Sequence, residues 1–285
     1  MTTSVVTQQN LLDYLSSIIY STYSILGIIL NSSLLWLTFT HKHSFIKEYR
    51  ILLGNTTCTL LLHSLLTFFL QFVSAGDSLG FVALGPARFL DMPFLVLFCT
   101  ALWLAIEYYA FMTIAMCMIY RYVTISGRSF SERQLLAFSA ATFLLPLSMG
   151  IAILACNPDF SELHAIMDKL RPEYGLQRYG NYSGLPNVKN VYVAYTIAVI
   201  CGIAIMSYIV MITVGFQTKK FLAEKAGVMS TRNLQMFKMM IKALIIQALV
   251  TVPLSFPHIC LYLLLQFTSF RSLATLSTKK IWLRQ

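Results

Sequence analysis

The first group in this chain able to do chemistry is a carboxylate, Glu107, fifteen residues into an otherwise uncharged run covering positions 92–120. Charge is expensive in apolar surroundings, so an isolated one defaults to a functional hypothesis. At helical spacing Glu107 shares a stripe with Cys99, Trp103 and Phe111. His63 and His258 fall near the middles of two further apolar runs. If those faces turn inward, they surround one central cavity with Glu107, Trp103, His63 and His258 as pocket candidates. Two readings are open. The groups form the polar floor of a ligand pocket, or they make interhelical hydrogen bonds that hold a bundle together, which is the commoner use of such residues.

Other candidates carry motion or contact rather than catalysis. Pro253 and Pro257 interrupt one apolar run; each removes a backbone donor and disturbs the carbonyl four residues earlier, which can make a hinge. Arg121 ends the run that holds Glu107, where a lone arginine usually anchors a helix by reaching for water. Enzyme signatures are absent: there is no HExxH, GxSxG or phosphate-binding glycine loop, and His41 and His43 stand two apart, where helical side chains do not face each other. The chain is expected not to be an enzyme and to need no cofactor. Six cysteines occur without a CxxC pair or a Cys/His cluster, so no metal site is expected.

The elements that position these groups are long. With 57% hydrophobic and only 11% charged residues, the chain has too few charges to cover a water-facing surface, for which about 25% is usual. A bilayer core about 30 Å thick needs about 20 apolar residues per helix. Six such runs can be read off, at about 14–40, 51–76, 92–120, 134–157, 190–218 and 243–270. The short alternating segments of a barrel do not appear. The expected fold is all-α, a polytopic transmembrane helical bundle over residues 1–270, followed by a short basic tail at 271–285. The tail holds four basic residues and cannot cross a membrane as a helix.

Charge between the runs sets the orientation. Twelve basic residues, from Lys42 through Arg133 to Lys242, lie in the loops of one side, and five, Arg88, Lys169, Arg171, Arg178 and Lys189, lie opposite. The richer side is expected to be cytoplasmic and the N-terminus outside. The net charge of +10 is spread over these loops rather than gathered in a patch, which argues against nucleic acid. Of three Asn-x-Ser/Thr sequons only Asn181 sits in a loop, on the expected outer side. The tail breaks the pattern, since six spans leave Arg271, Lys279, Lys280 and Arg284 outside. A seventh span is therefore expected in the ancestral protein and missing here.

Local motifs add a family. Leu30-Asn31, then Tyr49-Arg50-Ile51-Leu52-Leu53 leading to Asn55, Gly85-Pro86 before the third run, Tyr120-Arg121-Tyr122 after it, and Lys242-Ala243-Leu244-Ile245-Ile246-Gln247-Ala248 entering the sixth occur in order. Over about residues 10 to 265 the chain resembles the nematode serpentine seven-transmembrane chemoreceptors, with the Srd type most similar. The resemblance implies a G-protein-coupled receptor for a small environmental chemical in the membrane of sensory neurons. Its partners would be that small-molecule ligand, a heterotrimeric G protein and membrane lipid. It places Arg121, Tyr122, Lys219 and Lys220 on the G-protein side.

Two features depart from that family. It commonly has cysteine after Gly85-Pro86, where this chain has Ala87, and the loop after Cys156 has no cysteine, so the usual outer disulfide lacks a clear pair. Cys99 reaches Cys156 only if the third span starts deeper than position 92. The absent seventh span is the second departure, and it points to a shortened receptor. Two other functions fit the spans: a small-solute transporter, though no similarity between the two halves is visible, and a non-signalling partner of full-length receptors.

Overall fold

The computed structural model describes residues 2–40, 47–74, 79–90, 92–127, 130–170, 182–185 and 190–225. Two compact units divide the chain, Met1–Thr218 and Lys219–Gln285. The second is described only at its start, where helix α6 ends. The sixth apolar run, at 243–270, and the tail lie outside the described residues.

Lipid offers no hydrogen bonds to the backbone, so apolar runs close their own as helices. Among the described residues, five helices are long and apolar enough to cross a membrane. They lie in α1 (Thr2–Thr40), α2 (Lys47–Leu70), α3 (Pro93–Ile125), α4 (Glu132–Ala155) and α6 (Val191–Lys225). A short amphipathic α5 (Phe160–Leu170) precedes α6. α3 is the most buried of these spans and α1 the least. α1 packs on α2, α2 on α3, and α3 on α4. Small residues let the backbones approach, as lipid-embedded helices require. A Cβ at Gly150 of α4 would stand 3.3 Å from the Ala101 carbonyl of α3.

Polar side chains within the spans mostly bond their own helix. Asn31 Nδ2 donates to the Gly27 carbonyl at 2.8 Å, and Thr56, Thr57, Thr59, Ser64 and Thr67 each donate to the carbonyl four residues earlier. Ser131 and Gln134 form a reciprocal capping box that starts α4.

The second apolar run does not stay helical to its end. Gln71 takes a left-handed backbone, φ 41°, which stops α2, and Phe72–Ser74 becomes strand β1. β1 pairs antiparallel with β2 (Leu79–Ala83), in register Phe72 with Ala83. β2 pairs in turn with β3 (Tyr182–Leu185), Leu79 opposite Leu185. This three-stranded sheet ties the loop after α2 to the loop before α6, and the all-α expectation did not include it. Leu185 sits in an apolar cluster with Leu97, Ala101, Ile153 and Val193, so the sheet is anchored on α3, α4 and α6. The long loop is thus held by a backbone ladder. Cys99 and Cys156 are both free thiols. Phe160 of α5 packs on the same cluster, and Leu163 is fully buried. Asp159 starts α5; its carboxyl is held below the usual carboxylate range by the Ser161 hydroxyl and by the amides of Ser161 and Glu162.

Gln71 also fastens α1. Its amide oxygen accepts from the Ser17 hydroxyl at 2.7 Å, and its amide nitrogen donates to Ser21 at 2.9 Å. After β2 the chain turns through Gly85 into a short 3-10 turn, Pro86–Phe89. The Gly85 amide donates to the Leu70 carbonyl at 3.2 Å, so two backbones lie in direct contact there.

Candidate functional site

Two anomalous residues of the apolar runs meet face to face. His63 of α2 and Trp103 of α3 place their ring centroids 5.3 Å apart at a 31° tilt. One turn along α2, Thr67 accepts a hydrogen bond from Trp103 Nε1 at 2.8 Å while its hydroxyl donates to the His63 carbonyl. This relay fixes the indole, and an indole N–H buried in a span needs such an acceptor. The buried Nε2 of His63 has no hydrogen-bond partner among the described residues.

Glu107 lies one turn further along α3 and is partly buried. Its charge acts on the hydroxyls of four tyrosines from three helices: Tyr20 and Tyr23 of α1, Tyr108 of α3 and Tyr208 of α6. Phe111 completes the wall, stacked on Tyr108 at 5.8 Å and edge-on to Tyr208 at 6.1 Å. The expected stripe of Trp103, Glu107 and Phe111 thus faces aromatic rings of neighbouring helices. Cys99, the fourth member, packs instead against Leu70, Ala83, Ala87 and Val96.

A second polar tie crosses three helices. Asn55 Nδ2 donates to the Tyr109 hydroxyl at 2.8 Å, and that hydroxyl donates to the Ser139 carbonyl of α4 at 3.2 Å. Tyr109 also meets Phe143 edge-on at 4.9 Å. Interhelical hydrogen bonds of this kind stabilise bundles by about 0.6–2 kcal/mol. Both uses of polar groups therefore occur in α3: Tyr109 holds helices together, while Glu107 and Trp103 line a partly open wall.

At the other end of α3, Arg121 is 8% exposed, so it lies inside the bundle rather than out in solvent. Tyr122, beside it, is half-buried. An apolar cavity of about 270 Å³ opens nearby, lined by Leu52, Met116, Tyr120, Phe130, Leu135 and Phe138. Lys219 and Lys220 are exposed near the end of α6. His258, the hinge candidates Pro253 and Pro257, and the sequon Asn181 lie outside the described residues. No group of residues suited to hold a metal ion occurs among those described.

Sequence reasoning missed Thr67, Gln71, Tyr20, Tyr23, Tyr208 and the Asn55–Tyr109–Ser139 tie. The signals were present for some of them. Gln71 is an amide in an apolar run, and Tyr20 and Tyr23 are aromatic hydroxyls well inside the first span.

The sequence profile of the serpentine type 7TM GPCR chemoreceptor Srd matches residues 16–275. Serpentine receptor class delta-32 of Caenorhabditis elegans is 25% identical over 257 residues, which cover 86% of this chain and 72% of that protein. Serpentine receptor class delta-33 of the same organism is 24% identical over 258 residues, covering 88% and 74%. A profile match over nearly the whole length agrees with the five described spans, and this multi-pass membrane protein belongs to the Srd family of serpentine seven-transmembrane chemoreceptors.

Proposed function

We propose that the chain is a G-protein-coupled chemosensory receptor that binds a small environmental chemical against the wall formed by His63, Trp103 and Glu107. The observation that carries this reading is the convergence of those side chains with Tyr20, Tyr23 and Tyr208, inside spans that otherwise keep polar groups to themselves. A carboxylate, an imidazole and a set of hydroxyls on aromatic walls can orient one small polar molecule. In this reading the sheet end and the N-terminus face outside, with the membrane of a sensory neuron as the setting.

The Arg121 end then faces the cytoplasm, where Arg121, Tyr122, Lys219 and Lys220 meet a heterotrimeric G protein. A basic inner surface suits an acidic partner and anionic lipid alike. Ligand shifts the population between two bundle arrangements, and the sixth run bends at Pro253 and Pro257 between them. His258, in that run, adds a second imidazole to the pocket.

The test is a cell line displaying the chain at its surface, with a second-messenger reporter, scanned against volatile and soluble chemicals. A dose-dependent response absent from untransfected cells is expected. Silence across a broad panel from a surface-displayed chain contradicts the receptor reading, and uptake of a labelled solute without G-protein activation replaces it with transport.

A further inference from the structure

We infer that the ligand class of this site is a small organic cation, an ammonium compound, which rests on the reading of the Glu107 wall as the ligand site. Charge decides first. Glu107 is the acidic residue of α3, set among Trp103, Tyr108, Phe111 and, from neighbouring helices, Tyr20, Tyr23 and Tyr208. An ionised carboxylate offers acceptors only, and the surrounding hydroxyls are neutral donors. The arginines next to α3 stand toward its two ends: Arg88 precedes it, and Arg121 lies fourteen residues beyond Glu107, about 21 Å along the axis.

Three ligand classes can then be compared. An anion is repelled by Glu107 and desolvated without an opposite charge. A neutral apolar molecule covers the carboxylate without replacing its lost water, which costs free energy. An ammonium ion supplies the opposite charge and N–H donors to the carboxylate. Its charge also lies against aromatic faces, which attract cations within about 6 Å of their centroids. The buried Nε2 of His63, unpartnered among the described residues, gives the same wall a further acceptor when Nδ1 carries the imidazole proton. Glu107 is partly exposed, so the site is reachable without unpacking α3.

Direct binding to the full chain in lipid nanodiscs tests this. The probes are small primary and quaternary ammonium compounds, each paired with its neutral isostere, for example 2-phenylethylamine against 2-phenylethanol. At least one ammonium member is expected to bind about tenfold more tightly than its isostere, and Glu107→Gln is expected to erase that preference. Equal binding within every pair, or a preference that survives Glu107→Gln, overturns the inference. Should Glu107→Gln fail to reach the membrane, the wild-type pairs alone decide the outcome. Ammonium binding without any second-messenger response would uphold this inference and contradict receptor function. A response to neutral compounds with no ammonium preference would do the reverse.

Discussion

Valine in place of Gly85 is expected to strip most of the chain from the cell surface. A Cβ built at Gly85 would stand 2.5 Å from the Phe69 carbonyl oxygen and 2.8 Å from that of Phe68. Both obstacles are backbone of α2, so no side chain can swing aside. Overpacking at a rigid contact costs about 1–3 kcal/mol and at times more. For a marginally stable fold that is about a five- to thirtyfold change in the folded population. Gly85 also donates to the Leu70 carbonyl and leads the chain into α3, so displacing it shifts the helix that carries Glu107. Gly54→Ala is the matched control. A Cβ there meets nothing within 4 Å, and alanine favours a helix over glycine by about 0.5–1 kcal/mol. Surface labelling of the two variants checks the pair: Gly85→Val is expected to fall severalfold or more, and Gly54→Ala to equal or exceed the parent. Similar levels for both would show that the α2 contact yields.

Glu107→Gln has the second large effect, on response rather than on folding. The change keeps the shape and the half-buried position and removes the negative charge. Hydrogen bonds to charged groups contribute about 1.5–3 kcal/mol, which corresponds to about a ten- to hundredfold loss of potency. The second-messenger reporter reads that shift, with surface labelling measured in parallel. A normal surface level with lost potency assigns Glu107 to the ligand wall. A collapse of the surface level assigns it to packing, and an unchanged potency removes it from the site.

The spans were legible because lipid sets a length and tolerates little charge. The first apolar run, 14–40, coincides with the membrane-crossing part of α1, Tyr14–Thr40. The sheet was not legible. Phe72 and Val73 continue an apolar run, and only the left-handed backbone of Gln71 turns them into a strand. No rule of composition places a glutamine there. In the site, Glu107, Trp103 and His63 stood out because charge and imidazole are anomalies among aliphatic neighbours. Tyr20, Tyr23 and Tyr208 did not, since tyrosine is at home in a span. Which face α1 turns to α2 is set by tertiary packing, such as Gly27 against Ser64, and that is not written in the period of either helix. Asn55 read as a sequon beside a span; its amide is instead spent on Tyr109.

A receptor must present the sheet end, and with it the path to Glu107, to the world outside, so the direction in which the bundle crosses the membrane is decisive. An epitope inserted between Pro172 and Glu173, just after α5, measures this directly in living cells. Antibody is predicted to label it on intact cells, and a second epitope after Gly127 only once the membrane is permeabilised. Labelling in the opposite sense would put the sheet in the cytoplasm and contradict the receptor reading.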